Sequence, residues 1–243
     1  MTDEEEEYIT LFCEGDGSVF MTIDGYPKVS FAQKERDVLD YVASLTVGGH
    51  INPHGAGNWE LTFIGKKCVL LLEVFSRHVV GRKFLDRLNV VLECVGMPLT
   101  VQHSLTFSGF VGFWDAEGSS DDSPSVNIGQ VNREILDLIA EMFGGSVYLK
   151  SDGAHVWHLG GEKARGLYES ILERSRCPLR AEELRMHFEE GRDKCHKLYR
   201  DTHKTEQRVH NEKSDAKRRA VREWMRTHPE EVAEFVRRGG AIS

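Results

Sequence analysis

Two short stretches of this chain alternate polar and apolar residues with period two: Lys28-Val29-Ser30-Phe31-Ala32-Gln33 and Ser125-Val126-Asn127-Ile128-Gly129-Gln130. Each reads polar, apolar, polar, apolar, small, glutamine, the pattern of a strand with one face on a core and one face wet. A turn at Asp24-Gly25 predicts that the first of them closes a hairpin. The apolar runs Tyr8–Cys13 and Leu105–Trp114 suit helices that carry acids at their C-terminal ends. Asp37–Val42 and Glu134–Ile139 open amphipathic helices, and the double glycines Gly48-Gly49 and Gly144-Gly145 predict where these stop. A further hairpin follows in each case, through Gly57–Leu61 and Ala154–Leu159, and helices are predicted over 66–95 and 162–187.

These elements fall into two copies. Asp16 aligns with Glu117, Gln33 with Gln130, Gly48 with Gly144 and Trp59 with Trp157, each pair about a hundred residues apart. The small drifts between pairs are those produced by insertions and deletions in surface loops. Each copy reads helix, hairpin, helix, hairpin, helices. The expected class is α+β: two tandem αββαββα repeats over 1–98 and 99–188, followed by a helical tail over 189–243.

Composition narrows the class. With 243 residues, 40% apolar and 29% charged, the chain can bury a real core. The apolar run Cys68–Leu72 is too short to span a bilayer, and Asp3–Glu7 is the opposite of a basic leader. A soluble intracellular protein without a membrane partner is expected. Five cysteines, without a CxxC pair or zinc spacing, read as reduced thiols. The net charge is −8, of which residues 189–243 contribute +3 (14 Lys and Arg against 11 Asp and Glu). The preceding body is therefore acidic, which by itself does not point to nucleic acid.

The chemistry lies in a duplicated acidic turn, CEGDGS at 13–18 and DAEGSS at 115–120. An acid at a helix C-terminus faces the negative end of the helix dipole and calls for a cation nearby. Two such helices packed about a pseudo-two-fold axis would bring Asp16 and Glu117 together. Close carboxylates repel unless a divalent metal joins them. The turns lack the acid ladder and the twelfth-position glutamate of an EF-hand. There is no Ser-His-Asp constellation or phosphate-binding glycine loop, and His78 and His187 read as ordinary surface or core residues.

With its apolar lead, each turn resembles the motif of LAGLIDADG homing endonucleases. Ile9–Gly17 (ITLFCEGDG) and Phe110–Gly118 (FVGFWDAEG) occupy the nine places, and the resemblance spans about residues 4–188. It implies a monomeric enzyme whose two saddle-shaped antiparallel sheets straddle double-stranded DNA, with Mg²⁺ or Mn²⁺ and no organic cofactor. The acids at the eighth place, Asp16 and Glu117, would bind metal together with Gly15 and Ala116 and activate water at the scissile phosphates. Gln33, Gln130 and Arg180 match the polar and basic positions around them. Arg82 or Lys83 would be the first copy's counterpart of Arg180. Gly112 supplies the small third residue of the motif, whereas Leu11 does not.

The polar face of the first sheet would offer Thr22, Lys28, Ser30, His50, Asn52, His54 and Asn58 to DNA. The second would offer Ser125, Asn127, Ser146, Tyr148, Lys150 and His155. In the tail, Lys217, Arg218, Arg219, Arg222 and Arg226 are candidate phosphate contacts, and a helix is predicted from Thr227 to Gly239-Gly240. Two functions of different class follow. One is a metal-dependent site-specific DNA endonuclease; the other is a catalytically silent DNA- or intron-RNA-binding protein (maturase or regulator) on the same fold. Retention of both acids favours cleavage, because carboxylates facing phosphates repel them.

Overall fold

The structure is a computed structural model that describes residues 1–55, 57–120 and 124–190. The expected tail helix and tail phosphate contacts lie outside these residues. The described residues belong to one compact unit.

Helix α1 (Asp3–Asp16) begins earlier than its apolar run. Thr2 and Glu5 form a capping box, and Asp3, Glu4, Glu5 and Glu6 lie in the first turn. The acidic run is thus a helix start, favoured by the positive end of the dipole. α1 passes without a loop into β1 (Gly17–Met21), followed by β2 (Pro27–Gln33), α2 (Arg36–Leu45), β3 (His50–His54), β4 (Asn58–Ile64), α3 (Lys66–His78) and α4 (Arg82–Cys94).

The second copy repeats the order: α5 (Phe107–Glu117), β5 (Gly118–Ser119), β6 (Ser125–Gln130), α6 (Arg133–Phe143), β7 (Ser146–Leu149), β8 (His155–Gly160), α7 (Gly161–Arg174) and α8 (Pro178–Arg185). A π-helical turn, Met186–Glu190, ends the described chain. Gly144 stops α6 with φ +75°, as its sequence predicts. α2 ends earlier, at Leu45, with Thr46 as its cap, so Gly48 serves the following turn instead.

The two sheets are antiparallel and equivalent, ordered β1-β2-β4-β3 and β5-β6-β8-β7. Val29, Phe31, Leu61 and Phe63 of the first, and Val126, Ile128, Trp157 and Leu159 of the second, face one continuous core. The register corrects one alignment. Gln33 opposes Trp59, but Gln130 opposes His155, whereas Trp157 opposes Ile128 as Leu61 opposes Phe31. The tryptophans are therefore two residues out of step. Trp157 is fully buried and its Nε1–H donates to the Gly144 carbonyl at 2.8 Å, while Trp59 is half-buried beneath Arg36.

Helices α1 and α5 cross at the centre of this core. A Cβ on Gly112 would collide with the Tyr8 carbonyl oxygen, and one on Gly109 would lie 3.1 Å from Leu11 Cγ. Leu11, too large for the third motif place, is thus accepted by a glycine one turn earlier on the partner helix.

Cys13, Cys68 and Cys177 are buried free thiols and Cys94 is an exposed one; Cys195 lies outside the described residues. No helix among the described residues is long and apolar enough to cross a membrane.

Candidate active site at the paired helix ends

Asp16 is the last residue of α1 and Glu117 the last of α5. The next residue in each copy, Gly17 or Gly118, starts a strand. A Cβ there would meet Cys13 or Trp114 of the preceding helical turn, so glycine lets the chain turn at once from helix to strand. The helices touch at this end: a Cβ on Gly15 would lie 2.5 Å from Ala116 Cβ and 3.1 Å from Glu117 Cγ.

Each acid is bonded to the glutamine that ends its own sheet's second strand. Gln33 Nε2 donates to Asp16 Oδ2, and Gln130 Nε2 donates to Glu117 Oε1 at 3.0 Å. Burial raises the Asp16 carboxyl to about 7, with Glu117 adding to the shift and Arg180 and Gln33 opposing it. Burial also raises Glu117, against Arg180 and Gln130. The pair is thus short of positive charge, and ionising both carboxyls is costly where they stand.

Arg180 is the cation that a C-terminal acid requires. Its guanidinium donates to the carbonyls of Ala116 and Gly118, the open end of α5, which is the negative end of the dipole. Two carboxylates hold it there indirectly. Asp115, completely buried, accepts from Tyr8 Oη at 2.7 Å, Ser175 Oγ at 2.6 Å and the Arg176 amide at 2.6 Å. Glu35, from the first repeat, accepts from the Leu179 amide at 3.0 Å and from Cys177 Sγ at 3.1 Å. The first copy repeats half of this device: Glu14 accepts from the Val80 and Gly81 amides, each at 2.7 Å. Burial raises Glu14 to about 8 and Asp115 to about 6.

Beside Glu117 opens a cleft of about 190 Å³, lined from the first copy by Glu14, Gly15, Lys83 and Arg87 and from the second by Glu117, Gln130 and Asn132; Asp16 is not among its lining residues. Of the two candidates for the first copy's basic residue, Lys83 lines this cleft and Arg82 does not. Arg87, one turn further along α4, joins it there and was not foreseen, although its spacing from Lys83 was readable. Among the described residues no group of three or more His, Cys, Asp and Glu gathers as a metal cluster. The donor set at the helix ends is two carboxylates and the Gly15 and Ala116 carbonyls, hard oxygens of the kind Mg²⁺ prefers. Ala116 already accepts from Arg180, and its second lone pair is the one left for a cation.

On the outer face of the first sheet the register places Lys28, Ser30, His50, Asn52, His54 and Asn58 together, with Thr22 in the turn beyond β1. The same face carries Ser18, Phe20, Glu60, Thr62 and Ile64, which the sequence reading missed. The alternation that begins at Asn58 runs on through Glu60 and Thr62 and was the available signal for those two. In the second sheet, Ser146 and Tyr148 lie on the outer face and are exposed, as is Lys150 beyond β7. Ser125 and Asn127 share that side but are buried, with exposures of 0% and 3%. His155 does not share it. It opposes Gln130 on the other pleat, and His158 is the outward histidine, 2.6 Å from Asn127 Oδ1.

Comparison with known proteins bears on the fold. No family sequence model and no curated protein sequence matches the chain. Solved structures do match. The LAGLIDADG meganuclease I-AabMI, bound to uncleaved DNA, aligns at TM-score 0.57 and 12% identity over 75% of this chain and 88% of its own. The meganuclease I-SmaMI, bound to uncleaveable DNA, aligns at 0.56 and 13% over 80% and 97%. The LAGLIDADG homing endonuclease I-LtrWI, bound to target DNA, aligns at 0.55 and 11% over 81% and 97%. This chain therefore has the LAGLIDADG homing-endonuclease fold. Within that fold it carries both motif helices and both sheets on one polypeptide.

Proposed function

We propose that this chain is a site-specific double-strand DNA endonuclease that uses a divalent metal, Mg²⁺ or Mn²⁺. One observation carries the reading: the two motif helices end side by side in Asp16 and Glu117, each held by its own glutamine, with one shared arginine. A bound divalent ion supplies charge neutralisation and an acidified water molecule, the two things phosphodiester hydrolysis requires. Asp16 and Glu117, with the Gly15 and Ala116 carbonyls, are the residues that would hold it. Gln33 and Gln130 fix the carboxylate rotamers by donating to one oxygen of each, Asp16 Oδ2 and Glu117 Oε1. Arg180 offsets negative charge at the end of α5, and Lys83 and Arg87 offer positive charge to a phosphate entering the cleft. The outer faces of the two sheets lie against the major groove, presenting their exposed residues, Ser146, Tyr148 and Lys150 among them. The working unit in this reading is the monomer, because both motif helices belong to one chain.

The test is incubation of the full chain with Mg²⁺ and a randomised plasmid library, followed by sequencing of the ends. Discrete staggered cuts are expected. Asp16→Asn or Glu117→Gln should abolish cleavage of at least one strand and leave binding intact. Normal cutting of both strands by either variant overturns the site assignment. Specific retention of DNA or RNA without cuts by the parent chain identifies a binding protein instead.

A further inference from the structure

The outer face of the first sheet carries one carboxylate among its amide, hydroxyl, imidazole and amine groups. Glu60 lies on β4 between Ala32 of β2 and Asn52 of β3, in the middle of the face. Its Oε1 is 3.6 Å from Lys28 Nζ and its Oε2 is 3.8 Å from His54 Nδ1. Glu60 and Lys28 are each about a quarter exposed, so both heads reach the surface. The separations are loose, and exposed pairs of this kind add little stability. A carboxylate here is also repelled by a phosphate backbone. It gains only where it meets a hydrogen-bond donor.

In the major groove those donors are few. Cytosine presents its N4 amino group and adenine its N6 amino group. Adenine places the acceptor N7 beside that amino group, where it would oppose a carboxylate, whereas the edge of cytosine has no acceptor beside N4. The guanine paired with that cytosine presents O6 and N7, acceptors only, which suit an ammonium. Small residues, Ser30 and Ala32, lie beside the pair on the same face, and on its other side Phe20 sits opposite Lys28 with its ring centroid 5.6 Å from the ammonium.

We infer that Glu60 and Lys28 act together as the reader of one C·G base pair, Glu60 taking the cytosine amino group and Lys28 the guanine, with His54 holding the second carboxylate oxygen. The inference rests on the proposed DNA-binding reading and goes beyond it by assigning the base pair. The full chain carrying Asp16→Asn, which suppresses cutting, is allowed to select duplexes from a randomised double-stranded DNA library, with and without Glu60→Gln. The parent should return a profile with a strong C·G preference at one position of one half-site. Glu60→Gln should lower that preference by roughly 5- to 150-fold, the discrimination of one good base contact, and leave the other positions unchanged. Lys28→Met should weaken the same position, which keeps the test decisive if Glu60→Gln folds poorly. An unchanged profile, or a uniform loss at all positions, overturns the assignment while leaving DNA recognition standing. A parent that selects no sequence overturns the DNA reading itself.

Discussion

The backbone carbonyl of Tyr8 lies directly against Gly112, so close that a Cβ there could not be placed. Its pseudo-symmetric counterpart sets Leu11 against Gly109. Both large residues are on α1 and both glycines are on α5. The duplicated helices have therefore diverged into complementary surfaces, one bulky and one bare. Gly112→Ala should destabilise the protein by about 1–3 kcal/mol, the usual cost of overpacking, as measured by denaturant unfolding. A stability within error of the parent would mean that the helices can separate without penalty.

The Leu11–Gly109 contact allows a compensation experiment. Leu11→Ala should cost about 2–5 kcal/mol through the cavity it leaves. Adding Gly109→Ala on that background should cost less than it does in the parent, because its methyl group enters the vacated space. A double-mutant cycle measures the coupling. Strict additivity would show that the two sites do not share this space.

Asp16 makes stability depend on pH in an unusual direction for a carboxylate. Its pKa rises from 3.8 in the unfolded chain to about 7 in the fold. Across that interval the folded chain keeps a proton that the unfolded chain releases, so stability falls as pH rises. In metal-free buffer, Asp16→Asn should therefore melt above the parent at pH values beyond about 7 and match it near 4, since only the ionised carboxyl carries the penalty. Thermal melts across the interval check this; a parent midpoint that rises steadily from acid to neutral pH contradicts it.

Arg180 joins charge to shape. It lowers the pKa of both Asp16 and Glu117 and also closes the carbonyl end of α5. In the proposed endonuclease reaction Arg180→Met should move the acid limb of the cleavage pH profile to higher pH, and it should lower the melting temperature. Arg180→Lys should keep the limb near its place, because the charge remains, yet still melt lower, because an ammonium lacks the planar fork. Identical profiles for all three proteins would remove Arg180 from the site.

Tyr8 links the two repeats through a buried hydrogen bond to Asp115. Tyr8→Phe should cost about 1 kcal/mol, the net worth of one such bond. Asp115→Ala should cost more, because it strands the Tyr8 hydroxyl, the Ser175 hydroxyl and the Arg176 amide together. Equal losses in the two variants, measured by equilibrium unfolding, would show that the segment leading to Arg180 does not depend on Asp115.

Much of this was legible in the chain itself. Period-two alternation located β2 and β6, and the repeat of acid, glutamine and glycine pair located the duplication and the two acids. Those signals are local, because a strand with one buried face must alternate and a helix end must place its acids within one turn. The tryptophan match failed because register is decided between strands: Gln33 meets Trp59 while Gln130 meets His155, and a shift of two residues along a strand preserves the inward face and leaves no mark on the pattern. His155 was assigned to the wrong face for a related reason, since β8 starts where pairing with β6 permits. The sequence by itself determined the α+β class, the two repeats and the place of Asp16 and Glu117 at the ends of the repeated helices. Only the tertiary structure decided that Gly109 accommodates Leu11, that Arg180 caps α5 with support from Glu35 of the other repeat, and that Glu60 stands beside Lys28. Each of these is a contact between residues far apart in the chain, specified by packing and charge in three dimensions and by no spacing along one.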